Sequence, residues 1–364
     1  MPKKIVVLIT SNFDFDQRMQ RIVNTMTHLG YKVTVLSPYG SDETNGIDLV
    51  RLMTLFKKGK GFYLVYNLLA FVHVLFNKNQ IIYTVDMDTA WVGYFYKKIF
   101  KCCWILDMHE YFSEMPEIAG SLFVKNVWAF TEKMTITACD IAISVSPSLQ
   151  SLLELQFKRM VWLVRSLPYL QDNASSKNEH NVNEKVIIYQ GALNEGRGLE
   201  YLVDIWAHMP PRFTLALYGE GTISNLLKRM VKDRKMDDQV KFYGKLKPDQ
   251  LKNETQNAWL GLNLLSNRDL NSFHSLANKF FDYVQAEIPQ ITHSFPNYKL
   301  LNEEFEVAAL LKYHDQSMID LILELEEDEA KYQYLKSNTF KAKKVWNWQN
   351  EEKEIEKILE QSGY

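Results

Sequence analysis

Short, almost unbroken apolar runs recur along the chain, each followed by a longer stretch whose apolar positions fall three and four apart. In the first half the short runs are KIVVLIT (4–10), KVTVLS (32–37), IDLVRL (47–52), QIIYTV (80–85), CCWILDM (102–108), DIAISV (140–145) and MVWLVR (160–165). Runs of this kind read as strands buried on both faces of a parallel sheet, and the amphipathic stretches between them read as crossover helices. The alternation breaks at SLPYLQDNASSKNEHNVNEK (166–185), a polar segment with loop chemistry. It resumes with VIIYQG (186–191), FTLALYG (213–219), VKFYG (240–244), WLGLNLL (259–265), PQIT (289–292) and EVAALL (306–311).

Two successive βαβ series predict an α/β fold of two doubly wound, Rossmann-like domains facing one another across a cleft. The expected limits are 1–168 for the first domain, 169–184 for a linker and 185–343 for the second. A terminal amphipathic helix follows over 344–364, with Ile355, Ile358 and Leu359 at helical spacing. A length of 364 residues agrees with two cores.

Composition changes this picture little. The chain is 46% hydrophobic and 24% charged, with a formal net charge of −2, which gives no general reason to expect a nucleic-acid partner. Lys and Arg number 18 against 14 Asp and Glu in residues 1–165, and 24 against 30 in the remainder. The first half is thus mildly basic, as suits a domain that meets an anionic surface. Cys102, Cys103 and Cys139 have neither disulfide nor zinc spacing and are expected in a core, in a reducing compartment. No stretch reaches the roughly 18 apolar residues of a membrane span, and the N-terminal run reads as a first strand rather than a leader. The expectation is a cytoplasmic protein. One segment, FKKGKGFYLVYNLLAFVHVLF (56–76), joins Lys57, Lys58 and Lys60 to an apolar stretch. It reads either as a buried helix of the first domain or as an interfacial helix lying on the inner face of an anionic membrane.

Candidate chemistry concentrates in HSLANKFFDYVQAEIPQIT (274–292). A helix starting near Ala277 offers free N–H groups and a positive dipole end to an anion, beside Asn278 and the cationic Lys279. Asp282, one turn on and on the same face as Asn278, can accept hydrogen bonds from a ribose diol. An ordinary surface helix with an Asp and a Lys explains the same residues. In YQGALNEGRGLEYLV (189–203), Gly191, Gly196 and Gly198 flank Arg197, which suits close approach of a phosphate but also a plain tight turn. Tyr218 and Gly219 follow the next strand, and Phe242 offers a ring for a base or for the core. In WILDMHEYFSEMPEI (104–118), Asp107, His109 and Glu110 lie just past a strand's carboxyl end, where open α/β sheets bind ligands, with Glu114 shortly after. In TSNFDFDQR (10–18), Asp14, Asp16 and Arg18 suit an acceptor or a phosphate; equally, Asp16 is a helix N-cap with Arg18 exposed. The first strand lacks the G-x-G-x-x-G of a nicotinamide dehydrogenase, and the DMD at 86–88, though of metal-binding DxD form, follows a first-domain strand away from the expected diphosphate site.

In order and interval these pieces resemble the GT-B nucleotide-sugar glycosyltransferases, most closely the retaining family-four (group 1) enzymes of bacterial polysaccharide synthesis. The family's G-R-L…K-G loop, G-x-G turn, V-x-F-x-G strand and E-A-M-A-x-G-x-P helix stand here as G-A-L…R-G, G-E-G, V-K-F-Y-G and D-Y-V-Q-A-E-I-P. The resemblance implies transfer of a sugar from an NDP-sugar, UDP favoured, to a saccharide or lipid-linked acceptor, with retention and no metal or cofactor. It makes Gly191, Arg197, Ala277, Asn278 and Lys279 the diphosphate site and Asp282 the ribose ligand. His274 and Ser275 then face the donor sugar, and Tyr218, Gly219 and Phe242 the base. His109 and Glu110 become catalytic, and Asp16, Arg18 and Glu114 meet the acceptor. The last helix is implied to return to the first domain. His274 stands where the family has a glutamate and Ala192 where it has an arginine, with Lys279 placed to restore the lost charge. Those departures suit two alternatives: a catalytically silent scaffold, or, on the same fold, a nucleotide-sugar epimerase.

Overall fold

The computed structural model describes residues 3–40, 47–56, 58–115, 121–170, 185–265, 269–312 and 317–363. Most of the expected linker, and Lys57, lie outside them. The chain forms two compact units, Met1–Ser166 with Trp348–Tyr364, and Leu167–Asn347.

In the first unit the order is β1 (Lys4–Leu8), α1 (Gln17–His28), β2 (Lys32–Ser37), β3 (Asp48–Arg51), α2 (Lys60–Phe76), β4 (Ile81–Val85), α3 (Asp86–Ile99), β5 (Cys103–Met108), α4 (Leu122–Ala138), β6 (Ile141–Ser144), α5 (Pro147–Phe157) and β7 (Trp162–Leu163). All seven strands run parallel in the order β3-β2-β1-β4-β5-β6-β7. Alternate residues feed two cores. Val6, Leu8, Ile82, Trp104 and Leu106 meet α2, α3 and α4 on one face, while Ile5, Val7, Tyr83 and Ile105 meet α1 on the other. Asp16 caps α1 by accepting from Met19 N at 3.0 Å, and Ser146 caps α5 ahead of Pro147.

The second unit continues β8 (Lys185–Gln190), α6 (Leu199–Trp206), β9 (Phe213–Tyr218), α7 (Ser224–Asp233), β10 (Val240–Gly244), α8 (Pro248–Gln256), β11 (Leu260–Asn263), α9 (Leu270–His274), α10 (Asn278–Gln285), β12 (Gln290–His293), α11 (Pro296–Glu304), β13 (Ala308–Leu311), α12 (Ser317–Glu327) and α13 (Glu329–Val345). Its six parallel strands take the order β10-β9-β8-β11-β12-β13. Both sheets therefore reverse direction beside their first strand, at β1/β4 and at β8/β11, and these switch points open crevices at the strands' carboxyl ends.

A last helix, α14 (Trp348–Gln361), belongs to the first unit. Trp348, Ile355, Ile358 and Leu359 join the α1 core, Trp348 Nε1 donates to Thr25 Oγ1 at 3.1 Å, and Glu351 accepts from Arg165. Its start differs from the expected 344, because α13 runs on to Val345 and Trp346 is buried in the second unit's core beside Phe280 and Phe281. Leu167, fully buried in that same core, likewise belongs to the second unit. Cys102, Cys103 and Cys139 are buried free thiols. Among the described residues no helix is long and apolar enough to cross a membrane.

Candidate functional site

The second unit's switch point gathers most of the expected donor residues. β8 and β11 pair only at Leu260–Ile187 and Gly261–Ile188, then diverge. The Tyr283 hydroxyl fills the gap, accepting from Gln190 N at 3.3 Å and lying 3.1 Å from Leu262 O. Its ring fits over β11 because residue 261 is glycine; a Cβ there would come within 2.6 Å of the ring. Tyr283 in turn fixes α10, whose N-terminal residue Asn278 is exposed. Ala277 at the N-cap has no side chain to cap the helix, and its own N–H is taken by Tyr298 Oη at 3.0 Å. Asn297 holds the preceding turn by donating to His274 O at 2.7 Å and Ser275 O at 3.1 Å. Ser275 Oγ donates to Ser272 O at 2.8 Å.

Lys279 corrects one expectation. It is no mobile surface cation: the residue is 8% exposed and its Nζ is buried with no hydrogen-bond partner among the described residues. The amine rests 3.8 Å from the centroid of the Tyr189 ring, and a Cβ on Gly191 would stand 3.6 Å from it. Burial, and then the charge of Arg197 close by, hold the amine well below the usual lysine range, with Asp282 pulling the other way. Gly191, Arg197, Lys279 and Asp282 thus share one neighbourhood. Asp282 Oδ2 accepts from Gln190 Nε2 at 2.9 Å, and Thr255 Oγ1 donates to Gln190 Oε1 at 2.7 Å, so a buried amide relay orients the carboxylate.

The loops after β8 and β9 are stitched together beside this point. Gly191 N donates to Tyr218 O at 2.9 Å, Gly219 N to Gly244 O at 2.8 Å, and Thr222 N to Asn194 Oδ1 at 3.0 Å. Gly219 is obligatory here: φ is +140°, and a Cβ would lie 1.9 Å from Gly191 O. Tyr218 stacks on Tyr243 at 4.7 Å and donates to Glu254 at 2.8 Å. Phe242 does not join them. It packs into the core on the sheet's other face under Lys228, which leaves Tyr243 as the exposed ring at this edge.

In the first unit the switch point holds a buried ionic array. The Arg18 Nη2 reaches Asp107 Oδ1 at 2.9 Å, its Nη1 donates to Val164 O at 2.7 Å, and Tyr83 Oη donates to Asp107 Oδ2 at 2.7 Å. Arg18 and its partners hold the Asp107 carboxyl far below the ordinary range against the effect of burial. His109 lies between two carboxylates: Nε2 is 3.1 Å from Asp107 Oδ2, Nδ1 is 3.5 Å from Asp86 Oδ2, and its backbone N–H donates to Asp86 Oδ1 at 2.7 Å. Burial alone would lower its pKa, but Asp86 and Asp107 carry it up to about 9. As an imidazolium it donates from Nε2 to Asp107, so the Arg18 Nε–H beside it also serves that carboxylate. Asp86 takes a left-handed φ of +55° where β4 turns directly into α3.

Two acceptor expectations need correcting. Arg18 is 5% exposed with its guanidinium engaged within the fold, so it positions Asp107 rather than meeting a ligand. Asp16 is the α1 cap, its second oxygen accepting from Ser11 Oγ at 2.6 Å. Glu114 pairs with Lys125 at 2.6 Å. Burial, with a smaller push from the half-buried Glu110, raises Asp86 to about 7 and Asp88 to about 6. Asp88, the other half of DMD, accepts from Thr10 Oγ1 at 3.1 Å, and among the described residues no group of three or more His, Cys, Asp or Glu is arranged to hold a metal ion. Sequence reasoning missed Gln190, Tyr283 and Asp86; the one signal was a polar residue closing the apolar run VIIYQ.

Two parallel sheets with these strand orders form the GT-B fold. Residues 171–342 match the family model "Glycosyl transferases group 1". The whole chain superimposes on sucrose-phosphate synthase from Thermosynechococcus elongatus with a TM-score of 0.82 at 15% identity, covering 99% of both chains. HepE of Anabaena, solved in complex with UDP and glucose, matches with a TM-score of 0.77 at 15% identity over 98% of this chain and 99% of that one. WaaG, a glycosyltransferase involved in lipopolysaccharide biosynthesis, matches at 0.72 and 11% identity over 97% and 98%. At such identities the likeness is one of fold. No curated protein sequence matches the chain.

Proposed function

We propose that the chain transfers a sugar from a nucleoside-diphosphate sugar, a UDP-sugar in the first instance, to a saccharide or lipid-linked acceptor. The observation that carries this reading is Lys279, a buried amine that has no hydrogen-bond partner among the described residues, at the start of α10, whose N-cap residue makes no side-chain cap. A fold does not keep such a group for stability. An incoming diphosphate supplies what the site lacks: oxygens for Lys279 and for the first N–H groups of α10, in reach of Arg197. Those same groups neutralise the diphosphate as it leaves, which is electrostatic catalysis without need of a divalent metal. Asp282, aimed by Gln190, accepts from the ribose; Tyr218 and Gly219 border the base, with Tyr243 replacing Phe242 as the ring. His274 and Ser275 meet the donor sugar. His109, cationic near neutral pH, acts as a fixed positive group rather than a proton acceptor, and Glu110 is left for the acceptor. The HepE complex with UDP and glucose supports the choice of UDP, and retention is part of the reading through the family resemblance.

The test is release of nucleoside diphosphate from a panel of UDP-, GDP- and ADP-sugars, with and without saccharide and polyprenyl-phosphate-sugar acceptors, in EDTA. The reading predicts acceptor-dependent release and a new glycoside, undiminished by EDTA. Nucleotide binding without turnover would replace it with the scaffold, and conversion of the sugar nucleotide without acceptor would replace it with the epimerase.

A further inference from the structure

Whether the start of α10 carries a charge depends on what surrounds Lys279, the second residue of that helix. The side chain is buried, and among the described residues Nζ makes neither a hydrogen bond nor an ion pair. An ammonium has three N–H donors to place; taken out of water with none of them paired, it sheds a proton and becomes an amine. The groups packed against it decide how far this goes. β8 presents the Tyr189 ring, its centroid 3.8 Å from Nζ, and a ring face restores only part of the hydration a cation loses. The loop after β8 brings the half-buried Arg197, whose fixed charge opposes a second one. On α10 itself Asp282 favours the cation, but its Oδ2 is engaged with Gln190 Nε2 at 2.9 Å. Beside the helix start, α9 and α11 present His274 and Tyr298. Burial pushes the imidazole pKa down and the phenol pKa up, so both are neutral at pH 8. Burial and Arg197 together outweigh Asp282.

One side of the amine is open. Gly191 is exposed with a φ of +134°, and a Cβ there would stand 3.6 Å from Nζ and 3.8 Å from Tyr189 Oη. Without that Cβ an anion's oxygen can reach the amine from solvent. A diphosphate oxygen arriving there reverses the balance, because it gives an ammonium the acceptor it lacks and sets negative charge against Arg197.

Resting on the donor reading above, we infer that Lys279 is a neutral amine in the free protein and an ammonium in the complex, so that a nucleoside diphosphate binds with uptake of one proton. The new N–H bond forms on the Nζ lone pair. Its proton comes from water or a buffer acid, whose conjugate base stays in solution, and it returns to solvent when the diphosphate departs. Affinity then falls by about tenfold for each unit of rise in pH over the range where the free amine is neutral and the bound one charged.

Calorimetric titration of UDP, GDP and ADP into the full chain at pH 8, in HEPES, Tricine and Tris, tests this. The observed heat changes with the ionisation enthalpy of the buffer in proportion to the protons exchanged. At that pH the terminal phosphate of the nucleotide, with a second pKa of about 6, is already ionised and brings no proton. The wild type is expected to take up about one proton per nucleotide bound. Lys279→Met is expected to take up none. Lys279→Arg, charged in both states, is expected to bind without uptake and with little dependence on pH. Saturable binding whose heat is the same in all three buffers, or uptake that Lys279→Met retains, overturns the inference and leaves the donor reading standing. Failure of all three nucleotides to bind overturns both.

Discussion

A buried amine with no hydrogen-bond partner among the described residues costs stability by itself, and this fixes what Lys279 should do when replaced. Lys279→Met keeps the stem and removes the amine, so the ligand-free protein should gain stability on the order of 1–2 kcal/mol, seen as a rise in melting temperature, while UDP affinity falls at least tenfold in calorimetry. A variant that lost stability would show that the amine has a partner in the free protein. His109 gives the pH counterpart. Its pKa rises from 6.5 in the unfolded chain to about 9 in the fold, so the stability it contributes is complete below pH 6.5 and is lost as pH climbs through 9. Denaturant titrations at pH 6.5 and 9.5 should therefore show a larger fall for the wild type than for His109→Gln, the difference being on the order of 2 kcal/mol. At this scale the sequence was readable where a residue's place follows from its own helix or strand end, as for Lys279 and Asp282 on α10 and His109 just past β5. It was unreadable where the partner arrives from a distant strand. Nothing local to TSNFDFDQR says that Arg18 will be buried against Asp107, and nothing in VIIYQG says that Gln190 will aim Asp282.

At the scale of elements, α10 is the helix proposed to receive the diphosphate. Its N-cap residue sits at φ −72° and ψ 135°, a conformation open to any capping side chain, yet the residue is Ala277. Ala277→Asp should cap the helix and stabilise the protein by about 1 kcal/mol, and should weaken nucleoside-diphosphate binding because the new carboxylate occupies the N–H groups and repels the phosphates. Melting curves and calorimetry on one preparation read both effects, and tighter binding would place the phosphates elsewhere. The elements themselves were legible. Each of the thirteen apolar runs is a strand, because strands covered on both faces leave continuous apolar sequence. Their ends were less so. The run MVWLVR yields a strand of two residues, since β7 at the sheet edge pairs with β6 alone.

On the scale of the molecule, the first unit is assembled from the two ends of the chain. Its edge is locked by Arg165, whose backbone N–H donates to Glu351 Oε1 at 2.6 Å and whose Nη2 reaches Oε2 at 2.6 Å, with Glu351 only 4% exposed. Glu351→Ala strands the guanidinium and should cost about 3 kcal/mol in chemical denaturation, with Glu351→Gln costing less because one acceptor survives. Helical spacing of Ile355, Ile358 and Leu359 announced an amphipathic helix, but not its destination. Amphipathicity states that a face is covered, not by what; the cover is α1, more than three hundred residues earlier, as the Thr25–Trp348 bond shows.

The central claim is that the second unit binds a nucleoside diphosphate at the start of α10. Isothermal titration of UDP, GDP and ADP into the wild type and Asp282→Ala tests it most directly. Saturable binding of one nucleotide, UDP foremost, weakened at least tenfold by Asp282→Ala, is the predicted result; failure of all three to bind the wild type, or equal binding by the variant, would contradict it.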